Sequence, residues 1–258
     1  MALAWGDWYR SLDANTQTAK RTGGLNMKIK NEKEIFDLFV ADKDSMRGFL
    51  KTPFINEDDG RVWATDAYIM IMVNPDCVSG KYETRDFGRK LPVREYNCNK
   101  PLLVSDLQDA LNRCPQEPEM KIKSVEVVEC PECKGTGVVT AAYEADYDNH
   151  LYDIDVDCPI CDGEGTIEKE ELEPTGNMIP KEGSLIKLGK SYFKWYYIDT
   201  IIETCKILKI EKIKLVRTST IWMNIFELSS DIHICLMPMF DNGRDKRFKS
   251  AIEVKFTK

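Results

Sequence analysis

Four cysteines carry the clearest chemistry in the chain. They fall in two matching segments, Cys130-Pro-Glu-Cys133-Lys-Gly135-Thr-Gly137 and Cys158-Pro-Ile-Cys161-Asp-Gly163-Glu-Gly165. Each reads C-x-x-C-x-G-x-G. A two-residue spacer lets both thiolates of a knuckle reach one ion, and two knuckles supply the four soft ligands of a tetrahedral zinc. The glycines reach backbone angles closed to other residues, so the chain can turn tightly around a metal. The competing chemistry for a C-x-x-C pair is a redox couple or a disulfide, but the repeated pattern favours a metal. Four thiolates leave no open coordination position, so a single zinc here is expected to be structural.

Other reactive constellations are sparse. The chain has two histidines, His150 and His233. His150 lies in a turn-like stretch, and His233 lies on an alternating apolar strand, where a core or edge role is expected. Gly183 with Gly189-Lys190-Ser191 approaches a phosphate-cradling loop, but its spacer is one residue too long. Asp66 beside Thr65 has no acid or base partner at a telling spacing. Glu144, Asp146, Asp148, Asp153, Asp155 and Asp157 lack the central glycine and spacing of a calcium loop, so they read as a solvated acidic face. These features point away from an enzyme.

The 258 residues suffice for one large or two modest domains, with an ordinary 43% of hydrophobic residues. A net charge of −7 disfavours nonspecific wrapping of nucleic acid by the whole surface. Cys77, Cys98, Cys114, Cys205 and Cys235 are scattered, and this odd remainder argues against a disulfide framework. A reducing cytoplasm is the expected location. No apolar run approaches the roughly 18 residues of a membrane span. Residues 1–26, with Trp5, Trp8 and Tyr9 followed by a polar stretch ending in Gly-Gly, read as a leader, a flexible tail or a short docked helix.

The elements that must position the cysteines read as α+β. Met27 to Lys30 alternates like a strand, and Asn31 with Glu34 suggests a capping box opening a helix. Extended segments are expected at Phe49 to Ile55, Arg61 to Ala64 and Tyr68 to Val73, with a turn at Asp58-Asp59-Gly60. Residues 74–97 read as a loop with at most one short strand. Pro101 to Val104 is extended, and Ser105 with Gln108 suggests a second capping box. Met120 to Val128 should be a strand feeding the first knuckle. Val138 to Asp157 should be a hairpin projecting with the metal at its base. Glu168 to Gly183 reads as a linker. A strand is expected at Leu185 to Leu188, and a helix over Lys194 to Lys209 follows from Trp195, Ile198, Ile201, Ile202, Cys205 and Leu208. Strands at Lys212 to Val216, Ile221 to Leu228 and Ile232 to Met237 follow, then a turn at Asn242-Gly243 and a basic tail with a strand at Ile252 to Phe256. Two complete β-α-β-β-β units thus lie within 27–128 and 176–258, with a partial unit and an inserted zinc arm at 129–175 between them.

The knuckles resemble the cysteine-rich zinc domain of DnaJ co-chaperones, with two repeats where that family has four. The His-Pro-Asp tripeptide of the J-domain is absent from the sequence. The paired β-α-β-β-β units are similar to those of DNA polymerase sliding clamps. Asp59-Gly60-Arg-Val-Trp-Ala64-Thr65-Asp66 resembles the bacterial clamp hairpin that ends in Ala-Thr-Asp-Gly-His-Arg. Leu236-Met237-Pro238-Met239 resembles the Val-Met-Pro-Met that closes the bacterial clamp chain. Ala67, Tyr68, Ile69 and Met70 depart from the family's Gly-His-Arg-Leu, which implies a more apolar groove.

The resemblance implies a DNA-associated processivity factor or scaffold. Thr65, Met237, Pro238 and Met239 would line an apolar groove for partner peptides, methionine suiting varied partners. Lys194, Lys206 and Lys209 would contact the phosphates of double-stranded DNA. Ring closure would require a homo-oligomer. The alternative is a zinc-stabilised adaptor that binds proteins and not DNA, using exposed apolar residues near the metal such as Val138, Val139 and Ile160.

Overall fold

Ile198, Ile201, Ile202 and Cys205 recur at helical spacing, and each is fully buried in the main core. They belong to a 14-residue helix that leans on one face of a broad sheet. The computed structural model describes residues 28–42, 45–86, 98–144, 151–241, 243 and 245–256, with backbone alone at 143–144. The readings of residues 1–26, of Met27, of His150, of Asp146 and Asp148, and of Asn242 lie outside the described residues, as does the side chain of Glu144.

Helix α1 (Glu32–Asp37) comes first, followed by strands β1 (Phe54–Asn56), β2 (Val62–Thr65), β3 (Ile69–Val73) and β4 (Thr84–Arg85). Strand β5 (Lys100–Leu103) runs directly into α2 (Val104–Asn112). Next come β6 (Gln116–Glu129), β7 (Val138–Glu144), β8 (Leu151–Asp157) and β9 (Thr166–Pro180). Strands β10 (Leu185–Leu188) and β11 (Ser191–Lys194) lead into α3 (Trp195–Leu208), and β12 (Lys212–Arg217), β13 (Asn224–Ser229), β14 (Ile232–Leu236) and β15 (Ile252–Val254) complete the order.

Eight strands form one sheet in the order β4-β1-β2-β3-β14-β13-β12-β5. Its two halves join where β3 and β14 pair antiparallel, from Ile232 opposite Val73 to Leu236 opposite Ile69. Alternation sorts the side chains. Val62, Ala64, Ile69, Ile71, Ile232, Ile234 and Leu236 face the core shared with α2 and α3. Trp63, Met70, Met72, Ile225 and Cys235 form a second cluster. A three-stranded sheet, β11-β10-β15, lies beside α3 and α2. Among the described residues no helix is long and apolar enough to cross a membrane.

Several expectations are corrected. Residues 28–30 form no strand; the Ile29 N–H instead donates to the Cys77 carbonyl at 2.8 Å. The first β-α-β-β-β unit is therefore incomplete among the described residues, and in the second an unexpected strand, β11, intervenes between the expected first strand, β10, and α3. Neither capping box forms. Asn31 donates its side-chain amide to Glu34 at 2.9 Å rather than accepting a backbone N–H. Helix α2 begins at Val104, so Ser105 lies inside it. Its C-terminus is closed instead by Gln116, whose Nε2 donates to the Leu111 and Cys114 carbonyls at 3.0 and 2.9 Å. The expected linker at 168–183 is mostly strand, because β9 pairs along the length of β6.

Candidate metal centre and apolar corner

The two knuckles are held by matching, reciprocal hydrogen bonds. The Cys130 N–H donates to the Gly165 carbonyl and the Cys158 N–H to the Gly137 carbonyl, both at 2.8 Å. The Gly137 N–H points at Cys133 Sγ at 3.3 Å, and the Gly165 N–H at Cys161 Sγ at 3.2 Å. Lys134 and Asp162 both take left-handed backbone, with φ of 55° and 48°. Gly137 and Gly165 are required by close approach as well as by φ. A Cβ on Gly137 would lie 2.2 Å from the Gly163 carbonyl oxygen, and one on Gly165 would lie 2.5 Å from that of Gly135.

This backbone gathers four buried thiols. Cys130 and Cys158 Sγ are 3.8 Å apart, Cys133 and Cys161 Sγ are 3.7 Å apart, and all four lie within 4.8 Å of one another. A tetrahedral ion with metal–sulfur bonds of about 2.3 Å requires sulfur–sulfur edges of about 3.8 Å. A disulfide requires about 2.05 Å, so the arrangement matches a shared cation and not a bond between sulfurs. Burial opposes charge at Cys133, but the Gly137 N–H and the neighbouring Cys161 and Cys130 thiols bring its pKa down to about 7. Cys161 is pushed up to about 11, by burial and then by the same crowding of thiols, against the pull of the Gly165 N–H. The four cysteines thus fit a metal ion such as zinc. Val139 and Ile167 pack against them. Val139 is therefore half-buried, not the exposed contact expected, while Val138 and Ile160 are exposed.

The cluster sits in the middle of a long arm. Strands β6 and β9 form a two-stranded ribbon leaving the body, and β7 and β8 form a second one beyond the knuckles. The arm is fastened at its base by the Lys181 N–H to Pro115 carbonyl bond at 2.6 Å and by the Glu182 N–H to Glu117 Oε1 bond at 2.8 Å. Asp153, Asp155 and Asp157 alternate along one side of β8, where Thr140 Oγ1 donates to Asp155 at 3.1 Å.

On the body, the two sequence segments flagged at Thr65 and Met237 lie side by side. The Met237 N–H donates to the Tyr68 carbonyl at 2.9 Å, and the Met239 N–H to the Tyr192 carbonyl at 2.7 Å. Met237, Pro238 and Met239 are half-buried. Thr65 is buried, and its hydroxyl works inward: it donates to the Ile69 carbonyl at 2.7 Å and accepts from the Ala67 N–H at 3.0 Å. Asp66 Oδ1 accepts from the Tyr68 and Ile69 N–H groups, and Oδ2 from the Tyr197 hydroxyl at 3.3 Å. Burial, and then Asp66, raises the Tyr197 pKa, keeping it a donor. Ala67 takes φ of 85° to close this corner. Tyr68, one of the departures noted in the sequence, is exposed here; sequence reasoning missed the exposed aromatic side chains of Tyr196 nearby and of Phe240 just beyond Met239. The Trp195-Tyr196-Tyr197 run at the start of α3 was the available signal.

The three lysines are not brought together. Lys194 Nζ lies 5.3 Å over the Tyr196 ring at the start of α3. Lys206 pairs with Glu203 at 2.6 Å near its end, roughly 18 Å farther along the helix. Lys209 is the left-handed C-terminal cap, φ 57°, of a Schellman turn in which the Ile210 N–H reaches the Cys205 carbonyl at 2.8 Å. Asp199 lies on the same helix, its pKa raised by burial and by Glu203. His233 is buried, with Arg61 Nη1 3.4 Å from its Nδ1. Ser191 of the near-miss glycine loop is buried and bonded to Ser219 and Asn224.

No family model and no curated protein matches the chain. Solved structures similar to it are DNA polymerase sliding clamps. The beta subunit of DNA polymerase III from Pseudomonas aeruginosa matches over 89% of this chain and 70% of its own, with 14% identity and a TM-score of 0.40. A sliding clamp from Bartonella birtlesii bound to griselimycin matches over 87% and 68%, with 11% identity and a TM-score of 0.42. The beta subunit from Streptococcus pyogenes matches over 88% and 68%, with 14% identity and a TM-score of 0.39.

Proposed function

We propose that the chain is a non-enzymatic scaffold with two working parts: a clamp-like body that holds an apolar peptide, and an arm whose fold depends on one structural zinc ion. Cys130, Cys133, Cys158 and Cys161 would hold the zinc, which when bound supplies a cross-link and no reactive position. In this reading the body is the clamp-like part expected within 27–128 and 176–258, less the ribbon strands β6 and β9, which belong with 129–175 to the arm, and a reducing compartment such as the cytoplasm keeps the thiols available.

The body's role rests on one observation, the Met237 to Tyr68 backbone bond that makes the two clamp-like segments one surface. Met237, Pro238 and Met239 present adaptable apolar side chains there, with Thr65 holding the adjoining corner in shape. A fluorescent peptide bearing leucine and phenylalanine should bind, and Met239→Glu should weaken it at least about tenfold. Equal binding by the variant would refute the groove.

DNA association belongs to the same proposal. Lys194, Lys206 and Lys209 would touch phosphates without reading sequence, so affinity for double-stranded DNA should fall steeply with salt. Light scattering across concentrations tests for the closed homo-oligomer that encircling DNA requires. A monomer without salt-sensitive DNA binding leaves the zinc-stabilised protein adaptor. Lys206's pairing with Glu203 and the acidic arm favour that outcome over a DNA-wrapping surface.

A further inference from the structure

We propose that one face of the β6–β9 ribbon is a docking surface for a cationic, partly apolar segment of another protein. The register of the ribbon makes it two-sided. Met120 lies opposite Pro174 and Ile122 opposite Leu172, whereas Lys121 lies opposite Glu173 on the other face. A bulge between Ile122 and Ser124 shifts the alternation by one residue, so Val125 and Val127 rejoin the side of Ile122. Lys121–Glu173 and Lys123–Glu171 ion pairs, at 3.1 and 2.7 Å, occupy the opposite face.

Among the described residues β6 and β9 pair only with each other, and the apolar side chains of this face are left exposed. Met120 is 47% exposed, Ile122 52%, Val125 50%, Val127 64% and Leu172 50%. A contiguous exposed apolar stripe rimmed by charged residues is the kind of surface on which partners dock.

Charge selects the occupant. Residues 116–180 carry seventeen Asp and Glu against four Lys, a net of −13, while the other 193 residues hold 26 acidic and 32 basic residues. Glu170 and Glu168 sit opposite Val125 and Val127, on the apolar face itself. A second copy docked by the same face would stack two such arms, like charge on like. Nucleic acid and anionic lipid are repelled for the same reason. A strand or helix alternating Lys or Arg with aliphatic side chains satisfies both features, its apolar groups on the stripe and its cations on the glutamates. The 14 residues of β6 span roughly 46 Å. A face two strands wide, at about 4.8 Å per strand, then offers at most roughly 440 Å², glutamates included. That is less than the roughly 800 Å² per partner of a standard interface, so binding should be weak and salt-sensitive.

The test uses the full zinc-loaded chain and a twelve-residue fluorescent peptide alternating lysine and leucine. It should bind. A lysine–serine peptide and a glutamate–leucine peptide should each bind at least about tenfold more weakly. The double variant Ile122→Asn, Val125→Asn should lose at least about tenfold, and Ser124→Ala, on the other face, should lose nothing. Both substituted side chains are exposed, and zinc content verifies that the arm is intact. Equal binding to the double variant, equal binding of the lysine–serine peptide, or a dimer of the chain abolished by the double variant would each overturn the proposal.

Discussion

The body and the arm are stabilised by different physics. In the body, α2 and α3 bury a continuous apolar layer against the eight-stranded sheet, and side chains such as Phe193, Phe226, Ile198 and Ile234 are wholly enclosed. Each such burial contributes roughly 1.5–3 kcal/mol. In the arm, Pro180 apart, the buried side chains among the described residues of 116–180 are the four cysteines. Two-stranded ribbons are at best marginal in water. Among its described residues the arm has hydrogen bonds and ion pairs but only the small cysteine cluster for a core, so in the proposed reading its fold depends on the ion that the thiolates would hold.

The largest expected effect follows from that contrast. A structural zinc site contributes on the order of 10–16 kcal/mol to local folding. Chelation, or Cys158→Ser, should remove the metal and expose the amides of residues 130–165 to rapid hydrogen exchange. The protection of α3 and β14 should stay as it was, since neither element shares a buried group with the knuckles. Loss of protection in both regions together would show one cooperative unit and break the contrast; retained protection of the knuckles after chelation would deny the metal its role.

The same contrast explains what was legible in the sequence. The knuckles could be read because ligand spacing is local: four cysteines and the glycines beside them specify the site without distant information. Helix α3 was legible because its isoleucines repeat at helical spacing. Strand β9 was not. Glu168, Glu170, Glu171, Glu173, Pro174 and Gly176 give it the composition of a linker, and its strand character comes from pairing with β6 and not from a buried face. Strand β11 was hidden because Ser191-Tyr192-Phe193-Lys194 adjoins a helix of similar apolar content. The capping boxes failed because Asn31 found Glu34 and because α2 starts a residue earlier than Ser105. At the apolar corner, the proximity of residues 65–68 to 237–239 depends on β3 pairing with β14, which no local pattern specifies.

A smaller effect probes the body alone. Phe226 is fully buried and meets Phe193 edge-on, with ring centroids 6.3 Å apart. Phe226→Ala should destabilise the body by about 3–5 kcal/mol in urea unfolding, through lost transfer energy and the cavity left behind. Zinc content per folded chain should not change. A variant that also released zinc would tie the arm to the body's core and sharpen the boundary between them.

The smallest effect comes from a titrating group buried in the body. His233 lies on β14 between Met72 of β3 and Glu227 of β13. Burial, and then Arg61, lowers its pKa to about 4, against the opposing pull of Glu227 and Asp231. The Arg61 guanidinium faces Nδ1, which fits a neutral ring protonated at Nε2. Between about pH 6.5 and about pH 4 the unfolded chain binds a proton here that the folded chain does not. Folding stability should therefore fall as pH drops through that window, by roughly 3 kcal/mol for this group, and the loss should level off below it. His233→Gln removes the titration, so its stability should decline less steeply than that of the parent chain over the same range. Carboxylates titrate in both proteins, and the difference between the two urea-unfolding series isolates the histidine. Parallel series would mean that His233 is charged or solvated in the folded body.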